Sequence, residues 1–276
     1  MLVIGITPLS DPRLWDAIIH HPDIKRTLAG MRARIAAARA ICISCAVAAD
    51  LAHFSEDADE KAAFKRREDL LTPIAKAFVT EAGFEAANHG VQIFGGHGFI
   101  REWGMEQIVR DARIAMLYEG TTGIQALDLL GRKVLGSGGK LLTAFTDQVG
   151  DFIAAHDDDA VVEFMEPLGR YKDEWLTLSL AVGEKAMANA DEAGAAAVDY
   201  LMYAGYVTLG YFWARMAVIA QAKLAAGDGD RDFYEAKLHT ARFYFQRLLP
   251  RADAHRAALQ SGADNLMAMP EALFAL

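Results

Sequence analysis

The chain has 276 residues, with 28 Lys or Arg against 37 Asp or Glu, so its formal net charge is −9. Hydrophobic residues make up 53% and charged residues 24%, as in soluble globular proteins and unlike disordered chains. The acidic balance argues against a nucleic-acid-binding protein, which normally carries a basic excess. Because charge interrupts every apolar stretch within about 18 residues, no membrane span is expected. With two cysteines, no disulfide framework is expected, and a cytoplasmic location is the default expectation.

Apolar residues recur at steps of three or four along nearly the whole chain, which predicts an all-α fold. We expect the second helix to loosen at Gly90 and to end in the glycine run 95–98. Pro167 and Pro250 fall inside helical patterns and are expected to kink or split them. The predicted helices cover residues 24–51, 56–88, 105–117, about 122–135, 140–155, 160–189, 191–226 and 230–260.

The segment GSGG at 136–139 is the strongest linker candidate in the chain. It separates a helical pattern on its N-terminal side from four longer helical patterns on its C-terminal side. We therefore predict two helical bundles in tandem, one formed by residues 1–136 and the other by residues 137–276.

A single carboxylate stands out as a candidate catalytic group. Glu119 lies just before a predicted helix start, beside Gly120, whose missing side chain would let a ligand approach the backbone. Leu117 and Tyr118 could desolvate the carboxylate and make it a stronger base, whereas the adjacent helix N-terminus would stabilise the anion. Composition alone favours a third interpretation, in which Glu119 is an ordinary solvated loop residue.

Three ordered motifs surround this carboxylate: QIFGGHG at 92–98, RDARI at 110–114 and YEGTTGIQ at 118–125. Together they resemble the C-terminal helical domain of acyl-CoA dehydrogenases, flavoenzymes that introduce an α,β double bond into acyl-CoA thioesters. The motifs LDLLGRK at 127–133 and KLHTARFYFQRLLPR at 237–251 are similar to the longer bacterial members, including 3-methylmercaptopropionyl-CoA dehydrogenase. Those members carry an additional C-terminal helical domain.

The resemblance covers only the last part of such an enzyme. A complete member also has an N-terminal helical domain and a middle β-domain that packs on the flavin. We therefore expect the sequence to be a C-terminal fragment that is inactive in isolation. The alternative is a non-catalytic helical oligomerisation module, or a partner subunit that lacks its own flavin site.

The resemblance implies roles for individual residues. Glu119 would be the base that removes the α-proton while the β-hydrogen leaves as hydride to FAD, and Tyr118 and Gly120 would line the thioester pocket. Residues implied to contact FAD near Glu119 are Thr121, Thr122 and Gly123. Residues implied to reach the adenine-diphosphate part of FAD across a subunit interface are Gln92, Ile93, Phe94, Gly95 and Gly96. The family therefore implies a homo-oligomer, acyl-CoA as substrate and an electron-transfer flavoprotein as electron acceptor.

Other suggestive residues have structural explanations. Cys42 and Cys45 form a C-x-x-C pair in mid-helix with no second ligand pair, so we expect burial and no metal site. His97 has no identifiable partner, and Arg132 is shifted by one residue from the position of a site arginine in shorter relatives. The aromatic residues are predicted to be core: Tyr200, Tyr203, Tyr206, Tyr211, Phe212 and Trp213.

Overall fold

A computed structural model describes residues 17–275, and helices are the only regular elements in that range, which confirms the all-α prediction. The helices are α1 (Pro22–Phe54), α2 (Ala58–Phe94), α3 (Gly96–Phe99), α4 (Met105–Ile114), α5 (Thr122–Leu127), α6 (Lys140–Ala154), α7 (Val162–Ala188), α8 (Asp191–Ala226), α9 (Arg231–Phe243), α10 (Ala252–Gln260) and α11 (Asp264–Met267). Short 3₁₀ turns and two π-helical segments lie between them.

The ends of the long helices follow from local sequence chemistry. The Asp57 carboxylate caps α2 by accepting from the backbone N–H groups of Asp59 and Glu60, at 2.8 and 2.9 Å. Asp230 caps α9 in the same way. Helix α8 ends at Gly227, whose φ of 63° lies in the left-handed region that favours glycine.

Helix α2 is longer than predicted, because Gly90 does not loosen it. The helix continues to Phe94 and ends at Gly95, which has a φ of 61°. A Cβ added at Gly90 would lie 2.6 Å from the Cε atom of Met105, the first residue of α4. The side chain of Met105 thus packs directly on the backbone of α2 at Gly90, and the helix does not end there.

The two proline predictions have different outcomes. Pro250 lies in a 3₁₀ turn (Leu249–Arg251), preceded by the π-helical segment Tyr244–Leu248, so the last predicted helix is divided into α9 and α10. Pro167 stands in the second turn of α7, which continues as one helix, so splitting there is wrong. A second π-helical segment, Asp128–Leu135, extends α5.

Helix α8 lies at the centre of the molecule. It is apolar around its whole circumference, and it packs against α1, α2, α5, α7, α9 and α10. The predicted core aromatics of α8 are all buried, which confirms that prediction. One continuous core runs from Ala33 to Leu259 and joins both predicted bundles. The division near residue 137 itself stays a prediction.

Aromatic polar groups tie α8 to its neighbours. Trp213 is fully buried, and its Nε1–H donates to the backbone oxygen of Ala33 in α1 at 3.0 Å. The Tyr203 hydroxyl donates to the backbone oxygen of Tyr171 in α7 at 2.9 Å. Because a buried polar group without a partner destabilises a fold, these bonds fix the rotation of α8 about its own axis.

Length and composition alone would allow one helix among residues 17–275, α1, to cross a membrane, contrary to the prediction that no stretch resembles a span. The same helix packs along α2, and its residues Ala33, Ala37 and Ile41 belong to the core. Only 17% of its apolar window is buried, so α1 contributes to the core along one face.

The crossing of α8 over α2 depends on a single glycine. A Cβ at Gly205 would lie 2.1 Å from the buried ring of Phe78. We therefore expect Gly205→Ala to lower the free energy of unfolding by about 1–3 kcal/mol in urea denaturation. Gly194→Ala, on the same helix with no atom within 4 Å of the added Cβ, should raise it by about 0.5–1 kcal/mol. Equal effects of the two substitutions would contradict this packing.

Candidate active site

The loop between α4 and α5 has an unusual backbone conformation at its centre. Glu119 has a φ of 54° and is the only non-glycine residue with positive φ among residues 17–275. Gly120 follows with a φ of 96°. A left-handed conformation costs a non-glycine residue about 1–2 kcal/mol, so the surrounding contacts must hold Glu119 in place.

Lys76 of α2 provides the main restraint on this loop. Its ammonium group donates to the backbone oxygens of Ala115 and Gly120, both at 2.8 Å. It also lies 5.6 Å from the centroid of the Tyr118 ring. The Lys76 ammonium group thus links Ala115 to Gly120, and Glu119 lies between these two residues.

Side chains of α5 complete the loop structure. The amide of Gln125 donates from Nε2 to the backbone oxygen of Glu119 at 3.3 Å. Thr121 is the N-cap of α5, with its hydroxyl oxygen accepting from the backbone N–H of Ile124. The Thr122 hydroxyl donates to the Glu81 carboxylate of α2 at 2.7 Å. The φ of 96° at Gly120 favours glycine, and an added Cβ would also lie 2.6 Å from the movable amide nitrogen of Gln125.

The side chain of Glu119 is exposed in this chain, and so are its apolar neighbours. Leu117 and Tyr118 are 47% and 53% exposed, and Ile114 is 55% exposed. The expectation that Leu117 and Tyr118 desolvate Glu119 is therefore wrong within the chain itself. Instead, the carboxylate is surrounded by an uncovered apolar surface.

The segment with the predicted adenine-diphosphate contacts lies at the other end of α4. Met105 begins α4 beside Gly90, and the chain leaves α4 near Lys76, so α4 runs antiparallel to α2. Thirteen residues of α2 separate Glu81 from Phe94, a helical distance of about 20 Å. The chain therefore does not bring Gln92–Gly96 together with Glu119, and an FAD contact across a subunit interface stays a prediction.

An apolar groove connects these two ends. It lies between α1, α2 and α4 and has a volume of about 500 Å³. Ile93 and Phe94 line one end of it, and Ala115 lines the other. Ile93 and Phe94 are half-buried, whereas Gln92, Gly95 and Gly96 are exposed, and the contacts of all five with FAD stay a prediction.

The remaining residues that the sequence singled out have varied surroundings. No group of His, Cys, Asp and Glu in the described part of the chain has the geometry of a metal site. Cys45 is half-buried and desolvation raises its pKa to about 11, but Cys42 is exposed, so the predicted burial is wrong for Cys42. His97 packs edge-on against Trp103, and Arg132 pairs with Asp128 on the surface.

Sequence reasoning missed the residues that hold the loop, chiefly Lys76. One signal was present, because Lys76 is a single charge in the apolar run PIAKAFV at 73–79. A lysine in such a run must find acceptors for its ammonium group. The acceptors are near Lys76 only because α4 packs antiparallel to α2. The sequence around Lys76 does not reveal that packing.

The conformation of Glu119 makes a prediction about stability. Because glycine adopts positive φ without steric cost, Glu119→Gly should be more stable than Glu119→Ala by about 1 kcal/mol in urea denaturation. At an ordinary helical position the order is the reverse. Comparison of Gly194 with Gly194→Ala supplies that reference. The left-handed conformation would be contradicted if Glu119→Ala were at least as stable as Glu119→Gly.

The Lys76 restraint can be tested with an uncharged side chain of similar length. Lys76→Met removes two charge-assisted hydrogen bonds, so we expect about 2 kcal/mol less stability and faster amide hydrogen exchange in residues 115–120. Lys65→Met on the same helix removes only exposed ion pairs and should cost less than about 1 kcal/mol. Unchanged exchange in the Lys76 variant would show that the loop is held by other contacts.

Comparison with known families and proteins gives a consistent result. Residues 11–135 match the family described as "Acyl-CoA dehydrogenase, C-terminal domain", and residues 145–270 match the family described as "Acetyl-CoA dehydrogenase C-terminal like". The 3-methylmercaptopropionyl-CoA dehydrogenase of Ruegeria pomeroyi is 36% identical over 91% of this chain and 42% of its own length. The broad-specificity linear acyl-CoA dehydrogenase FadE5 of Mycobacterium tuberculosis is 30% identical over 98% of this chain and 45% of its own length. The chain thus spans less than half the length of these relatives.

Solved structures show the same fold. An acyl-CoA dehydrogenase of Bacillus anthracis complexed with FAD superposes with a TM-score of 0.66 and 21% identity, over 88% of this chain and 42% of that one. ACDH-11 of Caenorhabditis elegans, in complex with C11-CoA, gives a TM-score of 0.61 and 17% identity, over 87% of this chain and 40% of that one. The chain therefore belongs to the acyl-CoA dehydrogenase family and corresponds to its C-terminal helical domains.

Proposed function

We propose that this chain forms the C-terminal part of an FAD-dependent acyl-CoA dehydrogenase in which Glu119 is the catalytic base. The observation that carries the proposal is the restrained left-handed conformation of Glu119, held by Lys76 and Gln125. Strained non-glycine residues concentrate at functional sites, and a solvated loop carboxylate would need no such restraint.

The proposed step for this chain is removal of the α-proton of an acyl-CoA thioester by the Glu119 carboxylate. A carboxylate in water is a poor base for a weakly acidic carbon, so water must be excluded around it. The exposed apolar surface of Ile114, Leu117 and Tyr118 would become a dry wall once a second surface covers it. Tyr118 and Gly120 are proposed to line the thioester pocket.

The residues near the loop fit one side of a flavin site. Gly95, Gly96 and Gly123 have no atom within 4 Å of an added Cβ, so the backbone at these positions is open to a large ligand. The Thr121 hydroxyl oxygen accepts a bond from within α5, and its hydrogen can be donated to an acceptor on the ligand. Bound FAD would supply a hydride acceptor. Thr122 already donates to Glu81 and would contribute its backbone.

A homo-oligomer is part of the proposal because two apolar surfaces are uncovered, one around Glu119 and one along α1. Along α1, the residues Ile35, Ile43, Val47 and Phe54 are between 47% and 74% exposed, and their spacing of eight, four and seven residues places them on one face. Such a surface is typical of a protein interface. A partner at this face would also allow Gln92–Gly96 to reach a flavin held by another subunit. An electron-transfer flavoprotein as acceptor and a cytoplasmic location complete the proposal.

The test uses the protein produced from its complete reading frame and purified with FAD. Anaerobic addition of butyryl-CoA or 3-methylmercaptopropionyl-CoA should bleach the visible absorbance of the oxidised flavin. Glu119→Gln preserves the size of the side chain and removes its basicity, so we expect bleaching to slow by about 10³-fold while the flavin remains bound. Rapid-mixing spectroscopy measures both quantities.

The matched control is Glu102→Gln, which neutralises an exposed glutamate of the segment before α4 and should leave the bleaching rate unchanged. Near-normal turnover of the Glu119→Gln enzyme would refute the role of the base. A protein that stays colourless in the presence of FAD would instead support the alternative of a non-catalytic helical module.

A further inference from the structure

A basic pocket lies on the side of the molecule where α1, α2 and the connection between α9 and α10 meet. It has a volume of about 280 Å³, and its charged or titratable lining residues are Arg26, Arg34, His89, Arg247 and Arg251. The whole chain has a net charge of −9, so a local group of four arginines runs against the overall electrostatic character. Such a concentration of like charge is unfavourable unless an anion offsets it.

The carboxylates in the described part of the chain do not balance this charge. Arg34 is 3% exposed and donates to Oε1 of Glu85 at 2.9 Å, and Arg251 donates to the same oxygen at 3.2 Å. Two guanidinium groups therefore share one carboxylate. Arg26 pairs with Asp23 at 2.6 Å, but Arg247 forms no ion pair with any residue in 17–275. The pocket keeps a net charge of about two positive units.

One polar atom in the pocket wall also lacks a partner. Nδ1 of His89 is buried and makes no hydrogen bond with the described residues. A buried polar atom in that state destabilises the fold unless something else supplies an acceptor or donor. Because Nδ1 is shielded from the pocket space, the case for an anion rests on the excess guanidinium charge, with His89 as a neighbouring wall residue.

We propose that this pocket binds the phosphate or diphosphate group of a small molecule. Guanidinium groups match phosphate oxygens with paired N–H donors, and phosphate offers enough acceptors for several of them at once. The volume lies at the lower end of the range for ligand sites, which suits a diphosphate with a small attached group and excludes a whole dinucleotide. The ring of Phe243 provides an apolar wall for the attached group.

The pocket is separate from the candidate active site, and the proposal does not rest on the proposed function. None of the lining residues belongs to the Glu119 loop or to its restraints. The phosphate group could come from a free phosphorylated metabolite or from the 3′-phosphate of a longer nucleotide such as CoA. Both sources share the same chemistry and differ only in what extends from the pocket.

Isothermal titration calorimetry at low ionic strength with inorganic pyrophosphate tests the proposal. We expect saturable binding that weakens as salt is added, and a loss of affinity of about tenfold or more in Arg247→Gln. Arg247 is exposed, so this substitution leaves the fold intact. The matched control is Arg231→Gln, an exposed arginine of α9 that pairs with Glu235 outside the pocket, and its affinity should equal that of the unmodified protein.

The site is localised by the imidazole signals of His89 in NMR spectra, assigned with His89→Gln, which pyrophosphate should shift. Absence of saturable binding, unshifted His89 signals, or equal losses in the Arg247 and Arg231 variants would each overturn the proposal. A parallel titration with CoA identifies the source. Tighter binding of CoA that is lost in Arg247→Gln supports a nucleotide, and tighter binding of pyrophosphate supports a free diphosphate.

Discussion

Helix α8 is the constraint on which the rest of the structure depends, because none of its faces can be left in water. Its residues from Tyr200 to Trp213 are buried almost without interruption. Helices from both predicted bundles therefore surround it, and one continuous core joins them. The Trp213 bond to Ala33 and the close contact between Gly205 and Phe78 then determine how α1 and α2 lie relative to the C-terminal half. The position of the candidate active site follows from this, since α2 carries Lys76.

Lys76 connects this helix packing to the conformation of the loop that contains Glu119. An ammonium group at a half-buried position needs acceptors, and two backbone oxygens of the loop are the acceptors within reach. The bonds stabilise the protein and at the same time offset the backbone strain at Glu119. The backbone from which the Glu119 carboxylate projects is thus fixed, and the proposed role as a base depends on such a fixed position.

Much of the fold was predictable because its signals are local. Helical spacing, the caps at Asp57 and Asp230 and the glycine at 227 each act within a few residues of where they appear. Gly90 lies inside α2 against the Met105 side chain, a contact that the sequence does not reveal, and at Pro167 the helix is not split because the chain tolerates the loss of one hydrogen bond. The position of Glu119 came from family motifs, whereas its exposure and its restraint by Lys76 depend on contacts between distant segments, which spacing alone does not encode.

An exposed Glu119 fits the proposed role of base only if a further protein surface covers the carboxylate. A solvated carboxylate gains nothing from strain, yet here the strain is maintained, and the side chains around it are apolar where a solvated loop would be polar. The same reasoning applies to the apolar face of α1 and to the groove that joins Phe94 to Ala115. These three surfaces are unfavourable in water, and the chain spans less than half the length of the relatives it matches. The basic pocket differs from these three apolar surfaces because it carries excess positive charge, which a small anion is sufficient to offset.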